Sequence, residues 1–247
     1  MRSELLQKPI NLYLSTEHDC SYLADRQANS LFVDPQMQMS ADIYSELIQQ
    51  GFRRSGSHVY TPYCKKCHDC IPVRLDVQKF SLTRSQKRCR NKNQQIIVSA
   101  INLTEQSKEN LQQQYDLYHH YVKSRHLDGG MDDPDIDSYL DFLSSDWSST
   151  SFFEFREQER LIAIAVTDIV TDGLSAVYTF FDTTAEFNQR SLGIYAVLWQ
   201  AQEARQQGLK WLYLGYWIQN CQKMSYKDNY QPLEYFYNHQ WHSKPPH

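Results

Sequence analysis

The chain has 247 residues, room for one large domain or two ordinary ones, and is mildly acidic, with 25 Lys+Arg against 29 Asp+Glu and a net charge of -4. Hydrophobic residues make up 41% and aromatics 13%, enough for a core, yet no run of about 18 apolar residues occurs, which excludes a membrane-spanning helix. Residues 1–8 lack the apolar stretch of a secretory leader, so a cytoplasmic protein is expected, and its six cysteines are not read as disulfides.

Leu12-Tyr-Leu14 predicts a short strand, with a turn after it at Asp19-Cys20-Ser21. Apolar residues at 43, 44, 47 and 48 recur at helical spacing, with Ser40 as cap and Gly51 as stop, predicting a helix over 41–50. Val59-Tyr-Thr61 reads as a strand ending at Pro62, and a turn-rich loop follows. Residues 104–126 predict the longest helix, from Thr104 to an Asp128-Gly-Gly130 end. Then come three strand-like runs, 151–156, 161–166 and 176–181. A helix runs from Gly193 through Ala204 and closes near Gly208; the strand over 211–217 is apolar enough to be central. Strands, helix, then strand fit an α+β fold with an acyltransferase-type sheet. We place a boundary near residue 100, giving a cysteine-bearing N-terminal α/β domain over 1–100 and a second domain over 101–247.

The loop after Pro62 holds Cys64-Lys-Lys-Cys67-His-Asp-Cys70, three thiols with two residues between each. Thiolates so spaced can bend onto one ion, as tetrahedral Zn–S geometry requires, and soft ligands suit an iron–sulfur cluster equally. Cys20, in its turn, is the expected fourth ligand; His68 and Cys89 are weaker ones. A reduced thiol group without metal, or a redox sensor, is the other reading. Just downstream, Arg74, Lys79, Arg84, Lys87, Arg88, Arg90 and Lys92 stand against the single acid Asp76. Cations concentrated in one stretch of an acidic chain point to a docking site for phosphates, where Arg grips bidentately and neighbours such as Ser85 donate hydroxyls. A solvated charged face is the bland alternative.

Asn188-Gln-Arg190-Ser-Leu-Gly193 leads straight into the predicted helix. A glycine there lets an anion approach free backbone N–H groups at the positive end of the helix dipole. The turn partly matches the pyrophosphate-binding turn of N-acetyltransferases, with Tyr195 where a second small residue belongs. Past the last strand, Met224-Ser-Tyr226-Lys227 adds a phenol and a cation where function tends to sit.

Together these segments resemble the aminoacyl-tRNA–protein transferase family over nearly the whole chain. The resemblance rests on His18-Asp-Cys20-Ser-Tyr-Leu23, Gly51-Phe-Arg-Arg-Ser-Gly56, the stretch from Tyr60 to Arg74, Phe80 to Arg88, Ser191-Leu-Gly193, Tyr213 to Ile218 and Met224 to Lys227. The short length is similar to the bacterial branch, which transfers leucine to N-terminal Asp or Glu, rather than to the longer arginyl enzymes. The resemblance implies a GNAT-like C-terminal fold and a cytoplasmic role in N-degron proteolysis. One departure is Thr183 after Phe181-Asp182, where the pattern expects Pro.

On this reading the donor is leucyl-tRNA and the acceptor a protein α-amine, with no cofactor needed for the chemistry. Arg84, Ser85, Lys87, Arg88, Arg190 and Gly193 are expected on the tRNA. Arg74, Lys223 or Lys227 meets the acidic first residue, and Tyr178, Tyr216, Tyr226 and Lys227 stand near the ester. Core tyrosine is the alternative for Tyr178 and Tyr216. An arginyl donor, a small-molecule GNAT N-acetyltransferase and a metal-bearing RNA binder are the rivals.

Overall fold

A first group of elements precedes the thiol loop: strands β1 (Leu12–Leu14), β2 (His18–Asp19), β3 (Gln27–Ala28) and β4 (Ser30–Val33), helix α1 (Ala41–Gln49), then β5 (Arg53–Ser55) and β6 (His58–Pro62). The Ser40 side chain accepts from Ile43 N and starts α1; Gly51, at φ 87°, lets the chain turn back after it. In a computed structural model, residues 9–103, 106–125 and 135–246 are described.

After the thiols come β7 (Ile71–Asp76), α2 (Arg84–Lys92), β8 (Ile97–Ile101), α3 (Lys108–Arg125) and α4 (Ile136–Leu143). The chain ends through β9 (Thr150–Glu157), β10 (Arg160–Val170), β11 (Gly173–Phe181), α5 (Leu192–Gln206), β12 (Trp211–Trp217), α6 (Gln222–Ser225), a 3-10 turn (Tyr226–Asn229), β13 (Leu233–Tyr237) and β14 (Gln240–His242). The expected start and stop of the long helix, Thr104 and Asp128-Gly-Gly130, lie outside the described residues. Helix α3 itself begins at Lys108, where the Ser107 hydroxyl accepts from Asn110 N.

Two main sheets form. A four-stranded sheet runs β1-β4-β6-β5, and an eight-stranded sheet runs β14-β13-β7-β12-β11-β10-β9-β8. The expected strands over 151–156, 161–166, 176–181 and 211–217 all lie in the larger sheet, with β12 central. Residues before 100 also enter it: β7 lies between β12 and β13, so strands from both sides of residue 100 share one sheet.

Alternation along the strands builds two cores. Phe153, Phe155 and Ala165 point to α5, whose Ala196, Ala201 and Ala204 permit close approach. Phe152, Ile164, Val166 and Phe180 point the opposite way, onto Tyr118 of α3 and Tyr139 of α4. A third cluster joins α1 to the sheet through Tyr44, Ile48, Trp211 and Tyr213. No described helix is long and apolar enough to cross a membrane.

Candidate active site

The site begins where two parallel strands stop pairing. Strands β11 and β12 pair only from Gly173↔Trp211 to Ser175↔Tyr213, although β11 continues to Phe181 and β12 to Trp217. The cause is local: pairing of β12 with β7 shifts register between Tyr213 and Gly215, and Gly215 sits at φ 77°. Beyond that bulge the strands part, leaving backbone groups of β11 without a strand partner on that side.

Arg53 fills part of this gap from β5. Its Nη2 donates to Ala176 O at 2.5 Å, and a side chain at Gly215 would lie 3.7 Å from its Nε. The residue is 8% exposed, Nη1 is buried without a hydrogen-bond partner, and no described carboxylate pairs with it. Its neighbour Arg54 points to the other face of β5. There it meets Asp168 through Nε at 2.7 Å and Nη2 at 2.6 Å, and also serves Gly56 O, Leu143 O and Thr150 Oγ1.

Lys227 comes to the same place from the 3-10 turn after β12. It is 5% exposed, donates to Tyr216 O and lies 3.6 Å from Met224 Sδ. Burial, then the Arg53 charge, pushes its ammonium down from 10.5 to about 7. Tyr216 is buried, and its hydroxyl donates to Gly51 O at 3.1 Å; burial raises its phenol well above the usual range. Tyr226 is 41% exposed, with its ring against Tyr230; burial of the hydroxyl end and nearby Tyr121 raise its phenol. Tyr178 belongs to the aromatic cluster of Tyr118, Tyr121 and Phe142. Lys223 is exposed.

A second feature lies at the other end of the unpaired stretch of β11. Ser191, in the left-handed region at φ 55°, precedes α5 without any side-chain cap among the described residues, so the first amides of α5 are open. Gly193 leaves room for the ring of Phe181, the last residue of β11: an added Cβ would come within 3.0 Å of that ring. The turn's carbonyl groups are taken by α2. Asn93 Nδ2 donates to Arg190 O at 2.9 Å, Lys92 Nζ to Gln189 O at 3.2 Å, and Cys89 Sγ to Ser191 O at 3.6 Å. Acceptors are thus consumed while donors stay free, and the turn is left biased toward anions.

Helix α2 brings its charge to that turn. A reciprocal pair, Thr83 Oγ1 with Gln86 N and Gln86 Oε1 with Thr83 N, caps it. Gln86 and Cys89 are buried, while Arg84, Ser85, Lys87, Arg88 and Arg90 stay exposed, none in an ion pair with a described residue. Between α2 and α5 runs a groove of about 550 Å³ lined by Lys87, Arg90, Arg205, Tyr195 and Trp199.

Cys20, Cys64, Cys67 and Cys70 line one cavity of about 90 Å³, with Tyr60 and Tyr216 on its wall. Burial, then Cys64, Cys20 and Cys67, raises the Cys70 thiol to about 12. The spacing therefore gathers the thiols the sequence singles out, but no group of three His, Cys, Asp or Glu side chains among the described residues is placed to hold a metal ion. The expected zinc or iron–sulfur site is not formed by these residues as they stand, and no step below runs through one.

Two expected ligand-binding cations have partners inside the chain. Arg74 holds Glu234 at 2.6 Å and lies 3.7 Å from the Trp211 ring centroid and 4.1 Å from that of Trp241. Arg190 holds Glu157 at 2.7 Å and Asn93 at 3.0 Å. Thr183 ties the loop after β11 to α3, meeting His120 Nε2 at 3.1 Å and Ser124 Oγ at 2.9 Å. Arg53 and Asn93 are the site residues that sequence reasoning missed. Alternation through Phe52-Arg-Arg-Ser55 was the available signal, since it sends one arginine to each face of a strand.

Residues 18–88 match the family model described as arginine-tRNA-protein transferase, N terminus, and residues 113–237 match the corresponding C terminus. A protein of Saccharophagus degradans named aspartate/glutamate leucyltransferase is 47% identical, the match covering 94% of this chain and 96% of that one. One of the same name from Hahella chejuensis is 48% identical over 93% and 95%, and one from Pseudomonas aeruginosa 47% over 94% and 96%.

Proposed function

Given that the chain belongs to the arginine-tRNA-protein transferase family, we propose that it moves a leucyl group from leucyl-tRNA to the α-amine of proteins beginning with Asp or Glu. Relatives matched over almost their full length carry that activity in their names. One structural observation carries the reading. The open start of α5, flanked by the cations of α2, lies against Phe181 at the end of the stretch of β11 that no longer pairs with β12. A phosphate chain and an acyl group then have places along one open stretch of β11. Two parallel strands that part and are joined by a helix support a GNAT-like acyl-transfer fold over 101–247, to which residues 1–100 lend β7, Arg53 and α2.

The chemistry asks little of a base. The neutral α-amine attacks the ester carbonyl, a C–N bond forms, and the C–O bond to the ribose breaks; the amine proton ends on that oxygen. An α-amine titrates near 7.7–8.0, and Lys227, held at about 7, is suited to take the proton and pass it on. Tyr226 donates toward the oxyanion, and Tyr178 and Tyr216 shape the wall; positioning and charge stabilisation provide most of the rate. Arg84, Ser85, Lys87 and Arg88 lie along the acceptor stem and the Gly193 turn takes the terminal phosphates. An aminoacyl-tRNA donor puts the reaction in the cytoplasm, upstream of N-degron proteolysis.

The family model's name favours arginine as donor, so the test uses both. Radiolabelled leucyl-tRNA and arginyl-tRNA are offered with peptides starting with Asp, Glu, Lys or Ala. Leucine on the acidic peptides alone is the expected result. Arginine on them corrects the donor, and no transfer with either refutes the reading.

A further inference from the structure

Buried arginines normally end on a carboxylate, because an unpaired charge taken out of water costs several kcal/mol. Arg54 obeys the rule through Asp168. Arg53, one residue away and equally enclosed, does not: Nη2 finds only Ala176 O and Nη1 finds nothing. A hydrogen bond to one carbonyl is within reach of a neutral amide, so that bond does not explain a guanidinium.

The surroundings of Arg53 are short of an anion. Tyr44, Tyr60 and Tyr216 lie near enough to sense its charge, and so does the second buried cation, Lys227. Two cations near each other repel, and an anion bound to both turns repulsion into two attractions.

Resting on the transfer reaction proposed above, we propose that Arg53 is the specificity-determining residue for the acceptor, binding the side-chain carboxylate of the first residue through its free Nη1 edge. The missing partner of this arginine is then supplied by the substrate. In Asp and Glu the carboxylate is one or two methylenes from the α-carbon, so a first residue held on Arg53 has its α-amine beside Lys227. Recognition and reaction thereby share one place in the fold. A guanidinium suits the task because it can keep Ala176 O and take a carboxylate at once.

The test compares acceptor peptides that differ only in charge, Asp against Asn and Glu against Gln, with leucyl-tRNA as donor and the full-length protein. Wild-type protein is expected to favour Asp over Asn by roughly 30-fold or more in kcat/KM. In Arg53→Gln that ratio falls toward unity through loss of the Asp rate, while the Asn rate stays within about threefold. Arg53→Lys keeps the charge but not both bonds, and is expected to recover part of the discrimination. Equal loss on Asp and Asn, or an unchanged ratio, overturns the proposal. Thermal unfolding checks both variants; should Arg53→Gln not fold, an unchanged ratio in Arg53→Lys is sufficient to overturn it. Absence of leucine transfer to any acidic peptide by the wild type is a separate result, which refutes the parent reading.

Discussion

Arg53 and Arg54 are adjacent on one short strand, both enclosed, and opposite in what they lack. Arg54 is complete within the chain: its carboxylate comes from β10, its carbonyls from α4 and from Gly56 after β5, and a hydroxyl from Thr150 of β9. Arg53 is incomplete. The same division runs through the whole molecule. Arg74 with Glu234 joins β7 to β13, Arg156 with Glu154 lies along β9, and Arg190 with Glu157 ties the turn before α5 to β9. Arg53, Lys227 and the exposed cations of α2 find no carboxylate among the described residues. A cation paired inside the chain serves the fold, and one left unpaired beside a gap or an open helix start marks where an anion arrives.

The largest expected effect tests the paired side. Asp168→Asn removes the charge that satisfies Arg54 and leaves a guanidinium buried alone, so unfolding in denaturant should show a loss of about 3–5 kcal/mol. Arg53→Gln should cost less than about 1 kcal/mol, since no ion pair is broken. Similar losses in the two variants would break the comparison.

Lys227 gives the next effect, and its sign is fixed by direction. The folded ammonium is held down at about 7 from 10.5, so between those values the unfolded chain binds more protons and stability rises with pH. Below about pH 7 the cost of the buried charge is fully present; above about pH 10.5 it is gone. Lys227→Met should therefore exceed the wild type in stability by a few kcal/mol near about pH 6, with the gap shrinking by up to about 1.4 kcal/mol per unit as pH rises. A gap independent of pH would mean that Lys227 does not carry a buried charge.

Periodicity made the scaffold legible and hid part of the site. Helix α1 was readable because Ser40 and Gly51 bracket an apolar face, and β9, β10, β11, α5 and β12 because each contains a concentrated apolar run. Helix α2 was not, since its buried face is only Gln86 and Cys89 and the rest is charged or polar; the Thr83–Gln86 capping pair was the signal available. Strand β7 was masked by Pro72 and Arg74, which argue against a central strand until β13 and the two indoles supply their surroundings. Lys227 was legible by position, past the end of a strand. Arg53 was not, because what separates it from Arg54 is Asp168, 114 residues further along the chain.

The smallest effects sharpen the comparison, and Arg190 is its hardest case. The motif puts it on the tRNA, whereas Glu157, Asn93 and the Phe187 ring hold it in the turn before α5. Arg84→Ala with Arg88→Ala removes two exposed, unpaired cations. It should leave stability unchanged within about 0.5 kcal/mol, weaken tRNA binding and lower the slope of log K against log salt by about 1.5–2. Arg190→Ala should do the reverse. Losing a partly buried ion pair and a second hydrogen bond costs about 1–2 kcal/mol of stability, while the salt slope stays where it was. Should the slope fall by about one with stability unmoved, Arg190 releases Glu157 to reach phosphate, and pairing in the free protein is then too weak a criterion for dividing these cations.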